Sequence, residues 1–217
     1  MYFKSRVDAG QKLAVELGKY RYENCAVVAL SDGGVIVGAQ IAAALHCVLT
    51  LLLIEPIDLP GEHAPVAGIN QDGGFTYNNM YSTGQLEEFV SEYHGFIEQA
   101  KLQKLSEMNR LLGEGGLIRR DLLRGHNVIL VSDGLSSGFS LDAAADYLKP
   151  IRAERLIMAT PIASVPAVDR MHIIADEIHC LSVIDNYMET NHYYEDNDLP
   201  SHETIINTIK SVVLNWK

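Results

Sequence analysis

The chain has 217 residues, of which 47% are hydrophobic and 21% are charged, a balance typical of globular proteins and not of disordered chains. The longest apolar run, residues 48–54, is far shorter than the roughly 20 residues that cross a bilayer, and no basic region followed by an apolar one opens the chain. We therefore expect neither a membrane span nor a secretory signal. The net charge of −11 argues against a broad nucleic-acid-binding surface. Any bound phosphate must then be held mainly by backbone amides and hydroxyl groups.

The cysteines and histidines indicate the redox compartment of the protein and whether it has a metal site. Cys25, Cys47 and Cys180 are widely spaced and odd in number, which predicts no disulfide framework and a reducing, cytoplasmic location. All three adjoin apolar residues and are predicted to be core thiols. The histidines match no metal-ligand spacing, so no dedicated protein metal site is predicted.

The first 54 residues predict a helix followed by a βαβ unit. Amphipathic spacing predicts the helix over 5–20. Apolar runs at 25–30 and 48–54 have the pattern of strands buried on both faces, with an alanine-rich helix between them at 35–45. The segment Ser31-Asp32-Gly33-Gly34 is predicted to be a turn. Its position at a parallel-strand end favours a loop that faces a ligand, although both glycines also suit a plain turn.

Prolines and glycines interrupt this pattern from residue 55 to residue 84. Short strands are predicted around 65–69 and 74–77, joined at Asp72-Gly73 as a hairpin. A long, mostly polar helix is predicted over 85–112. We interpret residues 55–120 as a flexible loop and helical insertion within a single domain that spans residues 1–217.

Strands and helices alternate again after the insertion. An acidic, aromatic tail at 189–200 precedes the last helix. The alternation predicts a doubly wound α/β fold, a Rossmann-like, mostly parallel sheet flanked by helices. The predicted strands are 128–131, 155–160 and 177–181, and the predicted helices are 141–148, 166–172 and 201–214.

The segment after the strand at 128–131 carries the strongest functional signal. This strand delivers an acid, Asp133, and a loop of glycines and serines leads into a helix; open α/β sheets bind ligands at such strand ends. Unpaired amides and hydroxyls form a cradle for a phosphate, Gly138 lets the backbone approach closely, and Asp133 can accept hydrogen bonds from sugar hydroxyls. The pattern predicts a ribose 5-phosphate site, with an ordinary serine-capped turn as the alternative. The predicted binding residues are Ser132, Asp133, Gly134, Leu135, Ser136, Ser137, Gly138, Phe139 and Ser140.

Residues 128–140 resemble the phosphoribosyl pyrophosphate loop of type I phosphoribosyltransferases, which has four apolar residues, two acids and a Thr/Ser-Gly cradle. A bacterial subgroup of predicted phosphoribosyltransferases is more similar still. The resemblance covers about residues 27–201. The motifs that carry it, in the same order, are Ala29-Leu30-Ser31-Asp32-Gly33-Gly34-Val35, Leu123-Arg124-Gly125 and Tyr193-Tyr194-Glu195-Asp196.

This resemblance implies a phosphoribosyltransferase-type fold with a C-terminal hood at 185–217. It implies a reaction in which phosphoribose passes to a nitrogenous base and pyrophosphate leaves, with Mg²⁺ brought by the substrate. The implied partner is a small-molecule sugar phosphate or nucleotide, and a homodimer is left open. The implied site residues are Asp133, Arg119 and Arg120 as catalytic groups, Arg124 as a further cation, Asp32, Gly33 and Gly34 at the pyrophosphate, and Tyr193 and Tyr194 stacked on a base. The arginines are equally well explained as solvated residues.

Two positions depart from the family pattern. The acidic pair is Ser132-Asp133, so one ribose-binding carboxylate is missing, and the Pro-Arg of the first loop is replaced by Ser31-Asp32. Asp32 is expected to repel a pyrophosphate within a Debye length, about 8 Å at physiological salt. The alternative function is therefore a catalytically impaired module that binds a nucleotide or sugar phosphate. A hydrolase or phosphorylase acting on a ribose phosphate is a weaker third.

Overall fold

A computed structural model describes residues 3–112 and 123–212. These residues divide into two compact units, each with its own β-sheet. In the described part, the sheet unit comprises 3–52, 123–138 and 151–212, and the hairpin unit comprises 53–112 and 139–150.

Eight strands and six α-helices make up the regular structure of these ranges. The strands are β1 (Cys25–Ala29), β2 (Val48–Leu51), β3 (Ile54–Ile57), β4 (Ala67–Asn70), β5 (Phe75–Tyr77), β6 (Asn127–Val131), β7 (Arg155–Ser164) and β8 (Glu177–Ile184). The helices are α1 (Arg6–Glu16), α2 (Asp32–Leu45), α3 (Thr83–Leu112), α4 (Phe139–Leu148), α5 (Val165–Ile174) and α6 (His202–Ser211). None of these helices combines the length and apolarity that a bilayer span requires.

The sheet unit contains a five-stranded sheet in the order β2-β1-β6-β7-β8, and its strand pairs are all parallel. Every residue of β1 and β6 is buried, as expected for parallel strands covered on both faces. Helix α2 packs on β1 and β2, and α5 packs on β7 and β8. The predicted α/β fold with a mostly parallel sheet is confirmed. Because the strands are parallel, the segments after β1, β6 and β7 meet at one edge.

The hairpin unit contains an antiparallel sheet of β3, β4 and β5, on which α3 and α4 pack. The predicted hairpin is confirmed, because β4 pairs with β5 and Ile69 lies opposite Phe75. Gly73 in the turn has φ +82°, a left-handed conformation that glycine adopts without strain. The side-chain oxygen of Asn70 accepts hydrogen bonds from the amides of Asp72 and Gly74, which fixes the turn.

Two predicted boundaries near the first βαβ unit are wrong. The strand predicted at 48–54 ends at Leu51, and Ile54 begins β3 of the other sheet. A continuous apolar run does not show where a chain leaves one sheet for another. The turn predicted at 31–34 is the start of α2, because Ser31 caps this helix by accepting a hydrogen bond from Gly34 N at 2.8 Å.

Other elements are longer or shorter than predicted. β7 continues to Ser164 and β8 to Ile184, and these two residues still pair with each other. α4 begins at Phe139, two residues before the predicted start. The first helix ends at Glu16 and continues as a 3₁₀ turn over Leu17–Tyr20. Pairing between strands distant in sequence sets the ends of β7 and β8, so local composition does not reveal them.

Candidate functional site

Asp133 follows β6, and both oxygens of its carboxylate are bound by the protein. Oδ2 accepts a hydrogen bond from Arg6 Nε at 2.7 Å, and Oδ1 accepts one from Ser31 Oγ at 2.8 Å. The side chains of Arg6 and Asp133 are only 4% and 11% exposed, so they form a buried ion pair. Arg6 thus neutralises the acid that was predicted to hold the ribose hydroxyls.

Arg6 also connects Asp133 to the C-terminal segment. Its Nη2 donates a hydrogen bond to Asn191 Oδ1 at 2.6 Å, and its guanidinium carbon lies 4.6 Å from the centroid of the Tyr194 ring. The Tyr194 hydroxyl in turn donates to the backbone oxygen of Asp133. Burial raises the pKa of Tyr194 well above its ordinary value, so the hydroxyl keeps its proton for this bond. Hydrogen bonds from Arg6 and Ser31 therefore fix the side chain of Asp133, and a hydrogen bond from Tyr194 fixes its backbone.

Sequence reasoning missed Arg6, which lies outside every motif that carried the resemblance. One signal was present: α1 begins at Arg6, directly after its cap Ser5. A basic residue in the first turn of a helix lies at the positive end of the helix dipole and is unfavourable unless it is paired. Its partners, however, lie 127 and 185 positions away along the chain, and no local pattern identifies them.

The first turn of α2 approaches this ion pair closely. A Cβ at Gly33 would collide with Asp133 Oδ2 and would lie 2.7 Å from Arg6 Nε. A Cβ at Gly34 would lie 2.9 Å from the backbone oxygen of Val131. Glycine at these positions therefore makes room for Asp133 and for the end of β6. The predicted contact of Gly33 and Gly34 with a pyrophosphate stays a prediction.

The Asp32 carboxylate faces helix α6. Its Oδ2 lies 3.2 Å from His202 Nδ1, and the two side chains are 33% and 22% exposed. Asp32 Oδ1 and His202 Nε2 are buried atoms that find no hydrogen-bond partner among the described residues. Asp32 therefore shares a hydrogen bond with His202, and its expected repulsion of a pyrophosphate stays a prediction.

Residues 134–138 form a loop that the end of β7 holds in place. The amide of Leu135 donates to Ile162 O at 3.1 Å, and the amide of Ser164 donates to Leu135 O at 2.9 Å. Ser164 Oγ donates a further hydrogen bond to Ser136 O at 2.9 Å. Leu135 therefore forms a single parallel β-bridge with Ala163 of β7, which fixes the path of the loop at its start.

The middle of this loop is the part that a ligand can reach. Ser132 Oγ donates to Gly134 O at 2.9 Å and accepts from Gly134 N at 3.3 Å, so Ser132 shapes the loop where the family has an acid. Ser136 is exposed, and Ser137 and Gly138 are partly exposed. The predicted phosphate cradle thus has accessible hydroxyls at two consecutive positions.

Three other predicted binding residues have less accessible settings. Leu135 is 3% exposed, and both of its backbone polar groups are used by β7. Phe139 and Ser140 form the first turn of α4 in the hairpin unit, where Phe139 is buried and Ser140 is partly exposed. Their predicted contacts with a ligand remain predictions.

Neighbouring side chains pack directly against the two loop glycines. A Cβ at Gly134 would collide with the hydroxyl of Tyr187 and would lie 2.7 Å from a methyl carbon of Thr190. A Cβ at Gly138 would lie 2.5 Å from Cγ and 2.6 Å from Cβ of Arg170 in α5. Burial raises the pKa of Tyr187 to about 12, so this hydroxyl is neutral at physiological pH. Both glycines are needed because other side chains touch the backbone there.

Tyr193 and Tyr194 lie in the core, 5% and 3% exposed. They pack in one apolar cluster with Phe3, and the Phe3 and Tyr194 ring centroids are 5.9 Å apart. The backbone of Phe3 bonds to Tyr193 O and to Glu195 N, which ties the two ends of the described chain together. Stacking of either ring on a base, as predicted, requires that ring to leave the core.

Of the three predicted arginines, the described residues include Arg124, and it is not at the loop. Arg119 and Arg120 lie outside the described residues. Arg124 lies in a turn before β6, which the bond from Gly125 N to Arg152 O fixes. A strand of five residues separates this turn from the loop, so Arg124 lies at the opposite edge of the sheet, roughly 16 Å away.

The family described as phosphoribosyl transferase domain matches residues 87–197, more than half of the chain. The matched range includes β6, the loop at 134–138 and Tyr194. This chain belongs to the phosphoribosyl transferase domain family. Arg6 and Ser31, which hold the acid of the loop, lie outside the range that this family matches.

The chain is similar to curated proteins and to solved structures. A Mycobacterium tuberculosis protein with the provisional name phosphoribosyl transferase is 28% identical over 182 residues, which are 83% of this chain and 40% of the relative. The chain therefore spans about 40% of the length of this curated relative. The crystal structure of TT1426 from Thermus thermophilus is 24% identical, covers 100% of this chain and 99% of its own, and has a TM-score of 0.71. A hypothetical protein from Neisseria gonorrhoeae with bound ppGpp is 12% identical, covers 95% of both chains and has a TM-score of 0.51. These two structures show the shared fold.

A divalent cation does not fit the carboxylates at the loop edge. Mg²⁺ prefers carboxylate, phosphate and water oxygens. Asp133 already faces the buried guanidinium of Arg6, and Asp32 pairs with His202. A cation at Asp133 would lie beside that guanidinium charge, which opposes its binding. In this member of the phosphoribosyl transferase domain family, Asp133 is therefore a partner of the protein and not of a metal.

Proposed function

We propose that the chain binds phosphoribosyl pyrophosphate with its 5-phosphate at the loop 134–138 and transfers the phosphoribose to a nitrogenous base, releasing pyrophosphate. The observation that carries this proposal is the loop itself. Its backbone is fixed by β7, while Ser136, Ser137 and Gly138 stay accessible at the carboxyl edge of the sheet. Open α/β sheets bind ligands at this edge, and the loop lies inside the family match.

In this proposal the protein binds and orients the substrate. The hydroxyls of Ser136 and Ser137 and the amides around Gly138 hold the phosphate. The bond from the anomeric carbon to the pyrophosphate oxygen breaks ahead of full bond formation with a base nitrogen, so positive charge develops on the ribose in the transition state. The base nitrogen gives up its proton to water. Fixing the phosphate orients the ribose for this displacement. Mg²⁺ brought by the substrate would be held by phosphate oxygens and water, and its charge would stabilise the leaving pyrophosphate.

Asp133 is then a positioning residue. It sets the start of the loop through its bonds to Arg6, Ser31 and the Tyr194 hydroxyl. The free lone pairs of its carboxylate remain the proposed acceptors for the ribose hydroxyls. Arg119 and Arg120 are the proposed cations for the departing pyrophosphate.

A binding module without turnover is the second candidate, and the buried pair of Arg6 with Asp133 favours it. The family places two acids at this strand end, whereas this chain has Ser132 and an acid that is already neutralised. Such a site would still bind a phosphate, but its contacts with the ribose would be weaker. Its ligand would be a nucleotide or a sugar phosphate.

Pyrophosphate release tests the proposal. Wild-type protein is incubated with phosphoribosyl pyrophosphate, Mg²⁺ and each of a panel of purine and pyrimidine bases, with Gly138→Val as the variant whose loop is blocked. We expect base-dependent release from the wild type and none from the variant. Tight binding of ribose 5-phosphate without release supports the binding module. Binding of neither sugar phosphate contradicts both candidates.

A further inference from the structure

A carboxylate can bind the two neighbouring hydroxyls of ribose through its two oxygens. Each hydroxyl donates one hydrogen bond, so each oxygen must keep a lone pair that the ligand can reach. In the proposed function, Asp133 is the residue that meets these hydroxyls. The surroundings of its two oxygens therefore decide whether the site distinguishes ribose from a sugar that lacks one hydroxyl.

Oδ2 of Asp133 is covered by the protein on two sides. Arg6 Nε donates a hydrogen bond to this oxygen at 2.7 Å. The first turn of α2 lies against the same oxygen, because a Cβ added to Gly33 would collide with it. The whole Asp133 side chain is 11% exposed. A ligand hydroxyl therefore cannot reach Oδ2 without displacing Arg6 or the start of α2.

Oδ1 of Asp133 is partly used as well. Ser31 Oγ donates a hydrogen bond to it at 2.8 Å, and the same Ser31 oxygen accepts a bond from Gly34 N at 2.8 Å. The bond from Gly34 fixes the Ser31 hydroxyl at the start of α2, so its proton stays directed at Asp133. At most one lone pair of Oδ1 remains for a ligand.

Ser132, the residue before Asp133, has its hydroxyl engaged by the loop. Ser132 Oγ donates to Gly134 O at 2.9 Å and accepts from Gly134 N at 3.3 Å, and the residue is 4% exposed. A hydroxyl that bonds to the loop backbone in both directions is not free to hold a ribose hydroxyl. Ser132 and Asp133 together thus offer a sugar one acceptor, whereas paired recognition of two hydroxyls needs two.

We infer, on the basis of the proposed function, that the site binds the 5-phosphate of 2-deoxyribose as well as that of ribose. The ligand class is then a pentose 5-phosphate that is selected by its phosphate and not by its 2-hydroxyl. With one acceptor left on Asp133, the 2-hydroxyl and the 3-hydroxyl of ribose compete for a single lone pair, and loss of one hydroxyl costs little. The contacts of the phosphate with residues 134–138 are the same for both sugars.

Calorimetric titration of the wild type with ribose 5-phosphate and with 2-deoxyribose 5-phosphate tests this ligand class. We expect the two dissociation constants to agree within about threefold. A second hydrogen bond from the sugar to the charged carboxylate would instead favour ribose 5-phosphate by roughly tenfold or more. A preference for ribose 5-phosphate larger than about threefold would overturn the inference.

Ser31→Ala removes the hydroxyl that uses Oδ1 of Asp133 and returns a lone pair to the site. We expect the preference of this variant for ribose 5-phosphate over 2-deoxyribose 5-phosphate to rise by about tenfold. Ser201→Ala is the matched control, because Ser201 caps α6 by accepting a hydrogen bond from Thr204 N, as Ser31 caps α2. This control loses a similar cap and is expected to keep the wild-type preference.

The outcomes separate this inference from the proposed function. A wild type that binds neither sugar phosphate contradicts the phosphate site and the ligand class together. A wild type that binds ribose 5-phosphate and rejects the 2-deoxy sugar contradicts the ligand class alone. An unchanged preference in Ser31→Ala also overturns it, because the Ser31 hydroxyl would then not limit Asp133. Circular dichroism checks folding, and Ser31→Gly replaces Ser31→Ala if the alanine variant does not fold, since glycine is tolerated at the start of a helix.

Discussion

At the residue scale, the arrangement around the loop depends most on the buried pair of Arg6 and Asp133. Removing one partner of a buried ion pair leaves an uncompensated charge in the interior, which is far more costly than losing an exposed pair. The pair also carries bonds to Ser31 and Asn191. Loss of this ion pair is therefore expected to destabilise α1, the start of α2 and the C-terminal segment together.

Arg6→Gln is expected to lower the free energy of unfolding by about 3–5 kcal/mol, because Asp133 then stays buried without its cation. Lys12→Gln is the matched control on the same helix: its ion pair with Asp8 is exposed and is worth about 0.3 kcal/mol. Urea unfolding measures both. The double variant Arg6→Gln/Asp133→Asn should lose less than the sum of the two single variants. Additive losses, or an Arg6 variant as stable as the Lys12 variant, would contradict the pairing.

Gly138→Ala is expected to weaken ribose 5-phosphate binding about tenfold, because the new methyl group meets the stem of Arg170 at 2.5 Å and displaces the loop. Gly18→Ala makes the same substitution where nothing lies within 4 Å, and its affinity should equal that of the wild type. Calorimetry measures both affinities. Equal affinities in the two variants would mean that the contact between Gly138 and Arg170 does not shape the site.

Residue-level prediction from the sequence succeeded where chemistry is local. The strand, acid and serine-glycine order of residues 128–140 located the loop, because a buried strand and its following turn are read from consecutive residues. The sequence did not reveal that Arg6 forms an ion pair with Asp133 or that the side chain of Arg170 packs against Gly138. Those contacts depend on helices brought to the edge by the sheet order.

At the element scale, the end of β7 positions the loop. Leu135 pairs with Ile162 and Ser164, residues that lie beyond the predicted end of this strand at 160. The next residue is Pro161, which lacks a backbone N–H, and such a residue usually limits a strand. β8 pairs with Ile162, Ala163 and Ser164 but not with Pro161, so pairing across the sheet continues the strand past the proline.

Another element contact, between β8 and the 3₁₀ turn at Leu17–Tyr20, predicts a dependence on pH. Glu177 accepts hydrogen bonds from Lys19 and from the Tyr20 hydroxyl, and these bonds, the one from Lys19 first, lower the pKa of Glu177 to about 2. A lowered carboxyl pKa contributes stability above the ordinary value near 4.5, and this contribution is lost as the pH falls toward about 2.

The stability of the wild type relative to Glu177→Gln tests this contact. The difference in free energy of unfolding should shrink as the pH falls from about 4.5 to about 2. Urea unfolding at four pH values across this range measures it. A difference that does not change with pH would show that the charge of Glu177 contributes nothing.

At the scale of the whole molecule, a chain of net charge −11 is proposed to bind an anion. The loop at 134–138 offers backbone amides and the accessible hydroxyls of Ser136 and Ser137 for this purpose. The alternation of strands and helices predicted the α/β fold, because a parallel sheet needs a crossover between its strands. It did not predict the order β2-β1-β6-β7-β8, since pairing partners far apart in sequence leave no local trace.

We propose that residues 134–138 bind the phosphate of a ribose phosphate, and an NMR titration tests this proposal. Ribose 5-phosphate is titrated into ¹⁵N-labelled protein, with ribose as the uncharged control, and the backbone amide shifts are followed. We expect the largest shifts with ribose 5-phosphate to fall on residues 134–138, and we expect ribose alone to produce little change there. Shifts centred elsewhere in the chain, or no shifts at all, would contradict it.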